Sequence, residues 1–327
     1  MANAAPKKPM FLVYRKLGTM QWSAFNTTQT IDLDRLHGLR FVDIHHDHQV
    51  DGSGGSADGA LLTGAPFHFV TEMRLKGNGK DDIIRTTGHL NYQKNQFDYS
   101  IAPASTIPAV SAFGSANAVF NFISRLDLAM PKGLVPIDTA LISSVFATLQ
   151  LSVSIGDKTG LVNATNDRTV AFDTSTADVY VGEIVNFDAD MFGRIIAKQF
   201  YQELIPTATG SNLDLILPVG NAYREFLVEA CAPSANPTPN SSVLDNIQIR
   251  AGSEVFYDGE DDITRRIPAL ERGIAEQTGM YYLDMTRDGL IRQTLNASLY
   301  NNLKFTFANT LVTGNRIRVL ATELIPL

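Results

Sequence analysis

The densest group of chemically capable side chains is DIHHDHQVDG, residues 43–52, where three of the six histidines fall within four positions. Asp43, Asp47 and Asp51 flank His45, His46 and His48. Imidazoles and carboxylates at this density are the donor set of a transition-metal site. On an extended strand, however, successive side chains point to opposite faces. Asp43, His45 and Asp47 then share one face and His46 and His48 the other, so one ion reaches at most half of the cluster. The favoured expectation is an exposed polar strand end running into a loop, with metal ligation as the alternative. Imidazoles clustered at a contact between subunits would also weaken that contact as pH falls towards about 6.

The second acidic group, DGEDD at 258–262, invites a calcium reading. The ligand alternation and glycine of an EF-hand loop are missing. Asp258 to Asp262 read better as a solvated loop feeding the N-terminus of a helix, where carboxylates oppose the helix dipole. Other chemistry is absent from the pattern. There is no G-x-S-x-G elbow, no H-E-x-x-H and no G-x-G-x-x-G opening a helix, and GNGK at 77–80 lacks the spacing of a phosphate loop. The single cysteine, Cys231, allows neither an internal disulfide nor a zinc site built on a cysteine pair. The expectation is a chain with no catalytic residue, cofactor, resident metal or small-molecule substrate.

Charge is unevenly spread. Residues 1–31 carry Lys7, Lys8, Arg15 and Lys16 and no acid, within a chain of net charge −7. An acidic body with a basic arm, placed at 1–19, suits a one-ended contact with phosphate, on lipid headgroups or nucleic acid. The first twenty residues hold no apolar run long enough for a signal peptide core, so export by the usual route is not expected.

The elements that must position these groups come from a repeat. TIDLDRLHGLRFVDIHHDH (30–48) matches NLDLILPVGNAYREFLVEA (212–230) in an apolar–Asp–apolar triplet, a glycine and a following strand with Arg40-Phe41 or Arg224-Glu225-Phe226. VTEMRLKGNGKDDIIRTTG (70–88) matches VLDNIQIRAGSEVFYDGED (243–261), each reading as strand, glycine turn, strand. SRLDLAMPKGLVPIDTAL (124–141) matches YYLDMTRDGLIRQTLNAS (281–298), and LQLSV (149–153) sits where LKFTF (303–307) does. Both copies end on a strand, DVYVGEIV (177–184) and RIRVLATELI (316–325). One helix is expected in each, over HLNYQKNQF (89–97) and within 261–279, where Pro268 starts or kinks a turn and Gly279 suits the stop. The Gly-, Ser- and Pro-rich stretches 51–60 and 232–242, and the charge-free stretch between Asp98 and Arg125, read as surface loops or contact surfaces.

Seven or eight short strands per copy, each with one apolar face, close into an antiparallel sandwich. The expected fold is all-β: two tandem eight-stranded jelly rolls, at 20–187 and 188–327, each with a short inserted helix. In this order of phrases the sequence resembles the double jelly-roll major capsid proteins of tailless icosahedral viruses, many with an internal membrane. The likeness is strongest over LPVGNAYREFLVEA, VLDNIQIRAGSEVFYD, GMYYLDMTRDGL and LKFTF, about 110 residues of the second half. The resemblance implies a virion protein made in the host cytoplasm, with a bacterial virus as the expected source. It implies a homotrimer of pseudo-hexagonal outline that tiles a shell beside neighbouring capsomers. It further implies an inner face where Lys7, Lys8, Arg15 and Lys16 meet a lipid membrane or minor membrane and penton proteins. Neighbour contacts would use the charge-free loops. The rival readings are a carbohydrate-binding β-sandwich, which the single tryptophan, Trp22, argues against, and a viral spike or receptor-binding protein, for which no fibrous repeat is present.

Overall fold

Strict alternation sets the strands. In LQLSVSI, residues 149–155, Leu149, Leu151, Val153 and Ile155 are buried while Gln150, Ser152 and Ser154 are part-exposed. That period of two presents one apolar face to a core. The computed structural model describes residues 8–53, 64–106, 117–131, 139–161, 169–187, 195–206, 212–232, 238–286, 290, 293–308 and 314–326.

The first half runs β1 (Phe11–Trp22), β2 (Thr28–Asp32), β3 (Gly38–Ser53), β4 (Val70–Gly77), β5 (Asp81–Thr86), helix α1 (Gly88–Tyr99), β6 (Asn117–Asp127), β7 (Leu149–Ile155) and β8 (Thr169–Val185). The second runs β9 (Ile195–Leu204), β10 (Leu213–Ile216), β11 (Ala222–Ala232), β12 (Asn246–Ala251), β13 (Glu254–Glu260), helix α2 (Asp261–Arg272), β14 (Met280–Asp284), β15 (Leu303–Ala308) and β16 (Arg316–Pro326). Residues 11–19, grouped above with the basic arm, are thus the greater part of β1, paired along β8.

The neighbours in each half are the same, shifted by eight. In the first, β1-β8-β3-β6 faces β2-β7-β4-β5; in the second, β9-β16-β11-β14 faces β10-β15-β12-β13. Each is a jelly roll. Their cores are separate, one around Val42, Ile44, Phe69, Phe122, Leu151 and Val179, the other around Phe226, Val228, Ile247, Ile249, Phe305 and Val319. Each fully buried side chain of this size stabilises its core by about 1.5–3 kcal/mol. The barrels share one continuous sheet, because Gln199 of β9 pairs in parallel with Ile84 of β5.

The equivalence reaches single residues. The pairing of β3 with β8 shifts register at Arg40, and the pairing of β11 with β16 shifts at Arg224. Leu128 N–H donates to the Arg40 carbonyl (2.9 Å) and Met285 N–H to the Arg224 carbonyl (2.8 Å). A β-bulge therefore marks the same site twice. Both helices have twelve residues and close on a left-handed residue, Ser100 (φ 58°) or Gly273 (φ 65°). The helix stop expected at Gly279 is thus at Gly273, with Pro268 inside α2. Gly279 serves instead the entry to β14, at φ 65°, where a Cβ would come 2.5 Å from the Asn240 nitrogen.

Candidate functional site: the barrel junction and the outer sheet

Lys7 and most of the 51–60 insertion lie outside the described residues. Lys8 is exposed. Arg15 and Lys16 stand on β1 and already have partners: Arg15 reaches Glu183 (2.8 Å) and Asp34 (2.6 Å), and Lys16 reaches Asp178 (2.7 Å). Hydrogen bonds from Lys16 and Thr19 hold the Asp178 carboxyl below its usual range.

The histidine cluster is not a strand end. β3 continues to Ser53 and is paired on both sides, with β8 and β6, so each side chain belongs to one of two faces. Asp43, His45 and Asp47 face outward, and His46 and His48 face the first core, as alternation requires. Asp43 receives two 2.6 Å hydrogen bonds from Arg125 and one from the Tyr14 hydroxyl (3.2 Å). His45 lies 3.3 Å from the Tyr14 oxygen and packs on Tyr180. Inside, His46 stacks on Phe122, and the rings of His48 and Trp22 are 5.8 Å apart. Burial pushes the His48 imidazole down to about 3 and His46 also well down, so both are neutral. The two rings touch at 3.1 Å. The exposed reading is therefore corrected for His46 and His48, which apolar rings on the neighbouring strands enclose, and for Asp43, which is 3% exposed on the outer face beneath Arg125 and Tyr14. Among the described residues no group of three or more acids, histidines or cysteines is arranged to hold a metal ion.

Asp258 to Asp262 are divided between two elements. Asp258 accepts from the Asn246 amide (2.9 Å) on β12, and Glu260 is the N-cap of α2. Asp261 accepts from Arg265 and from the Tyr281 hydroxyl (2.6 Å), and Asp262 pairs with Arg266 (3.3 Å). The helix start was legible; the preceding residues are strand and not loop.

Sequence reasoning missed a buried polar assembly where α1 of the first barrel lies on the outer face of β11, β14 and β16. Leu90 and Phe97 meet Leu227, Met280, Tyr282 and Leu320 there, with the Phe97 and Tyr282 rings stacked at 4.8 Å. Buried charges run through this apolar contact. Lys94 binds Asp98 and Glu225 (3.1 Å), and Glu225 also accepts from Tyr282 (2.6 Å), Thr322 (2.8 Å) and Arg224 (3.2 Å). Burial alone would push Glu225 up; Arg224 and Lys94 outweigh it and hold the carboxyl well below its usual range. One turn away, His89 meets Glu229 at 2.6 Å, and Arg318 bridges Glu229 (3.4 Å) to Glu203 (2.6 Å). A cavity of about 290 Å³, lined by His68, His89, Arg316 and Arg318, opens beside them between the barrels. Helical periodicity could not reveal this. Ten of the twelve α1 residues are buried, polar ones included, so no apolar stripe exists to be read. This assembly has no nucleophile placed beside a base and an open substrate position. It locks two barrels in one orientation.

The architecture has solved counterparts. The STIV MCP matches with a TM-score of 0.73 at 14% identity, covering 97% of each chain. A chain of the PBCV-1 virus capsid matches at 0.61 and 12% identity, over 99% of this chain and 95% of that one. The major capsid protein P2 of bacteriophage PM2 matches at 0.59 and 12%, over 96% and 98%. The chain has the double jelly-roll fold. Coverage of nearly the whole length on both sides means that the double jelly roll accounts for both barrels and their junction, and for more than one barrel alone. No protein-family model and no curated protein matches the sequence. No helix among the described residues is long and apolar enough to cross a membrane.

Proposed function

We propose that this chain is the major capsid protein of a tailless icosahedral virus, a building block of the virion shell with no catalytic role. The observation that carries the reading is the fused pair of like barrels, with the same strand order twice and a buried, charge-locked junction between them. Two like barrels in a fixed relation give one subunit a twofold-repeated outline, so three subunits in a ring approximate a hexagon. Hexagons tile a closed surface. The double jelly roll shared with capsid proteins at full coverage supports the same reading.

The homotrimer, contacts with neighbouring capsomers, and a lipid or penton contact through Lys7 and Lys8 belong to this proposal, as do a bacterial host and an internal membrane. Sizing of the purified chain with light scattering, followed by electron microscopy, tests it. A particle of about three times 35.7 kDa that forms sheets or shells is expected. A monomer that binds sugars would overturn the proposal.

A further inference from the structure

The two helices are equivalent in sequence position, length and left-handed C-cap, yet they meet opposite fates. Leu90, Lys94 and Phe97 of α1 are 0%, 2% and 1% exposed under the second barrel. Their counterparts on α2, Ile263, Ile267 and Leu270, are 48%, 42% and 83% exposed. Spacings of four and three put these three on one helix face. Among the described residues no element covers that face.

The duplication identifies what α2 lacks. α1 rests on β11, β14 and β16, and the equivalent surface is the outer face of β3, β6 and β8 in the first barrel. Counting from the bulged arginines, Glu225 corresponds to Phe41 and Glu229 to His45; from Glu323 and Glu183, Leu320 corresponds to Tyr180. Tyr14, His45 and Tyr180 form an aromatic surface there, with Tyr14 and Tyr180 stacked at 5.1 Å, and Phe41 lies beneath them, 9% exposed under the Arg125 guanidinium at 4.0 Å. A pocket of about 380 Å³ opens beside His45.

We infer that α2 of one copy docks on the outer face of β3 and β8 of a second copy, head to tail, as α1 docks within the chain. Transferring the internal contacts one by one yields complementary chemistry. His89 against Glu229 becomes Asp262 against His45, an acid–imidazole pair with its sides exchanged. Lys94 against Glu225 becomes Ile267 against Phe41, an ion pair replaced on both sides by apolar groups. Asp98 against Arg224 (3.9 Å) becomes Glu271 against Arg40. Both of these are exposed, and neither has an ion-pair partner among the described residues. Two changes on the helix, His89 to Asp262 and Lys94 to Ile267, are thus matched by two on the sheet, Glu229 to His45 and Glu225 to Phe41, while the acid–arginine pair is kept. A face meant for solvent has no reason to keep that match. The contact is heterologous, and in the shell-protein reading three repeats of it form the ring in which every barrel follows another.

The inference rests on the shell-protein reading, and two single variants test it. I267D places a charge on the α2 face and Y180D places one on the receiving sheet. Each is expected to weaken self-association by at least about 30-fold, the loss of a central contact residue, with unchanged circular dichroism. L270D, on the same exposed helix face, gives the same readout should I267D fold poorly. Mixed one to one, I267D and Y180D each retain one intact face of opposite kind, so native mass spectrometry should show a 1:1 heterodimer. A mixture that stays monomeric, or trimers that persist in I267D and L270D, would overturn this contact and leave the shell reading standing. A monomeric wild-type chain would overturn the shell reading itself.

Discussion

His89 Nδ1 lies 2.6 Å from Glu229 Oε1, buried where the two barrels meet. Burial alone would raise Glu229; the charges of His89 and Arg318 outweigh it and hold the carboxyl at about 2. A carboxyl depressed on folding stabilises fully above its unfolded value near 4.5, and that contribution is lost as pH falls towards about 2. Urea unfolding between pH 2 and 6 should therefore show the wild type losing stability across this window. E229Q should be weaker at pH 7 by about 1–3 kcal/mol, because His89 and Arg318 lose the carboxylate between them while Arg318 keeps Glu203, and its stability should vary less between pH 2 and 5. An E229Q profile parallel to the wild type would refute the assignment.

Asp127 carries the opposite sign. It lies at the end of β6, buried, accepting 2.5 Å from the Tyr99 hydroxyl, with its Oδ2 atom unpartnered among the described residues. Burial, aided by Asp98 and opposed by Lys94, pushes it up to about 7. A carboxyl raised on folding favours the folded state at low pH, and this advantage is lost as pH rises from about 4 to 7. D127N keeps the acceptor for Tyr99 without the charge. It should be more stable than the wild type at pH 8, by at most about 4 kcal/mol, and nearly equal to it at pH 4. Equal melting temperatures at both pH values would count against the shift.

Much of this fold was legible because duplication writes each signal twice. The matched phrases at 30–48 and 212–230 fall on β2–β3 and β10–β11, and those at 70–88 and 243–261 on β4–β5 and β12–β13. Alternation also sorted His46 and His48 from His45 correctly. Their burial was not legible, since it depends on Trp22, Phe69 and Phe122 arriving from other strands. The junction was hidden for the same reason: Lys94 and Glu225 are 131 positions apart and look like ordinary surface charges until α1 lies on β11. The extent of the basic arm was misjudged because Arg15 and Lys16 sit in FLVYRKLGTMQW, a strand whose acidic partners come from Asp34, Asp178 and Glu183.

The neutrality of His48 has its own consequence. Its imidazole is depressed on folding, so its contribution to stability is full above the unfolded value near 6.5 and lost as pH falls towards about 3. Trp22, the only tryptophan, lies beside it and reports on this core. Its emission should stay constant from pH 7.5 to 5, while NMR shows the His48 ring neutral throughout. H48F, which fills the same apolar space, should flatten the acid side of the stability curve. A His48 ring titrating near 6.5 in the folded protein would show that water reaches this core.

The basic arm gives the last prediction, and the ion pairs set its form. Arg15 and Lys16 are committed to carboxylates on and beside the first sheet, so their charge is largely spent before any anionic surface arrives. Lys7 and Lys8 precede β1. Each free cation near an anionic membrane contributes about 1 kcal/mol, roughly a fivefold change in binding. Sedimentation with vesicles containing anionic lipid at low salt should show K7E/K8E losing far more binding than K16A. K16A should instead lower stability slightly, by about 0.5 kcal/mol, as an exposed pair does. Equal losses in the two variants would mean that β1 faces the lipid together with the residues before it. The helix-to-sheet contact proposed above would then have to share that surface.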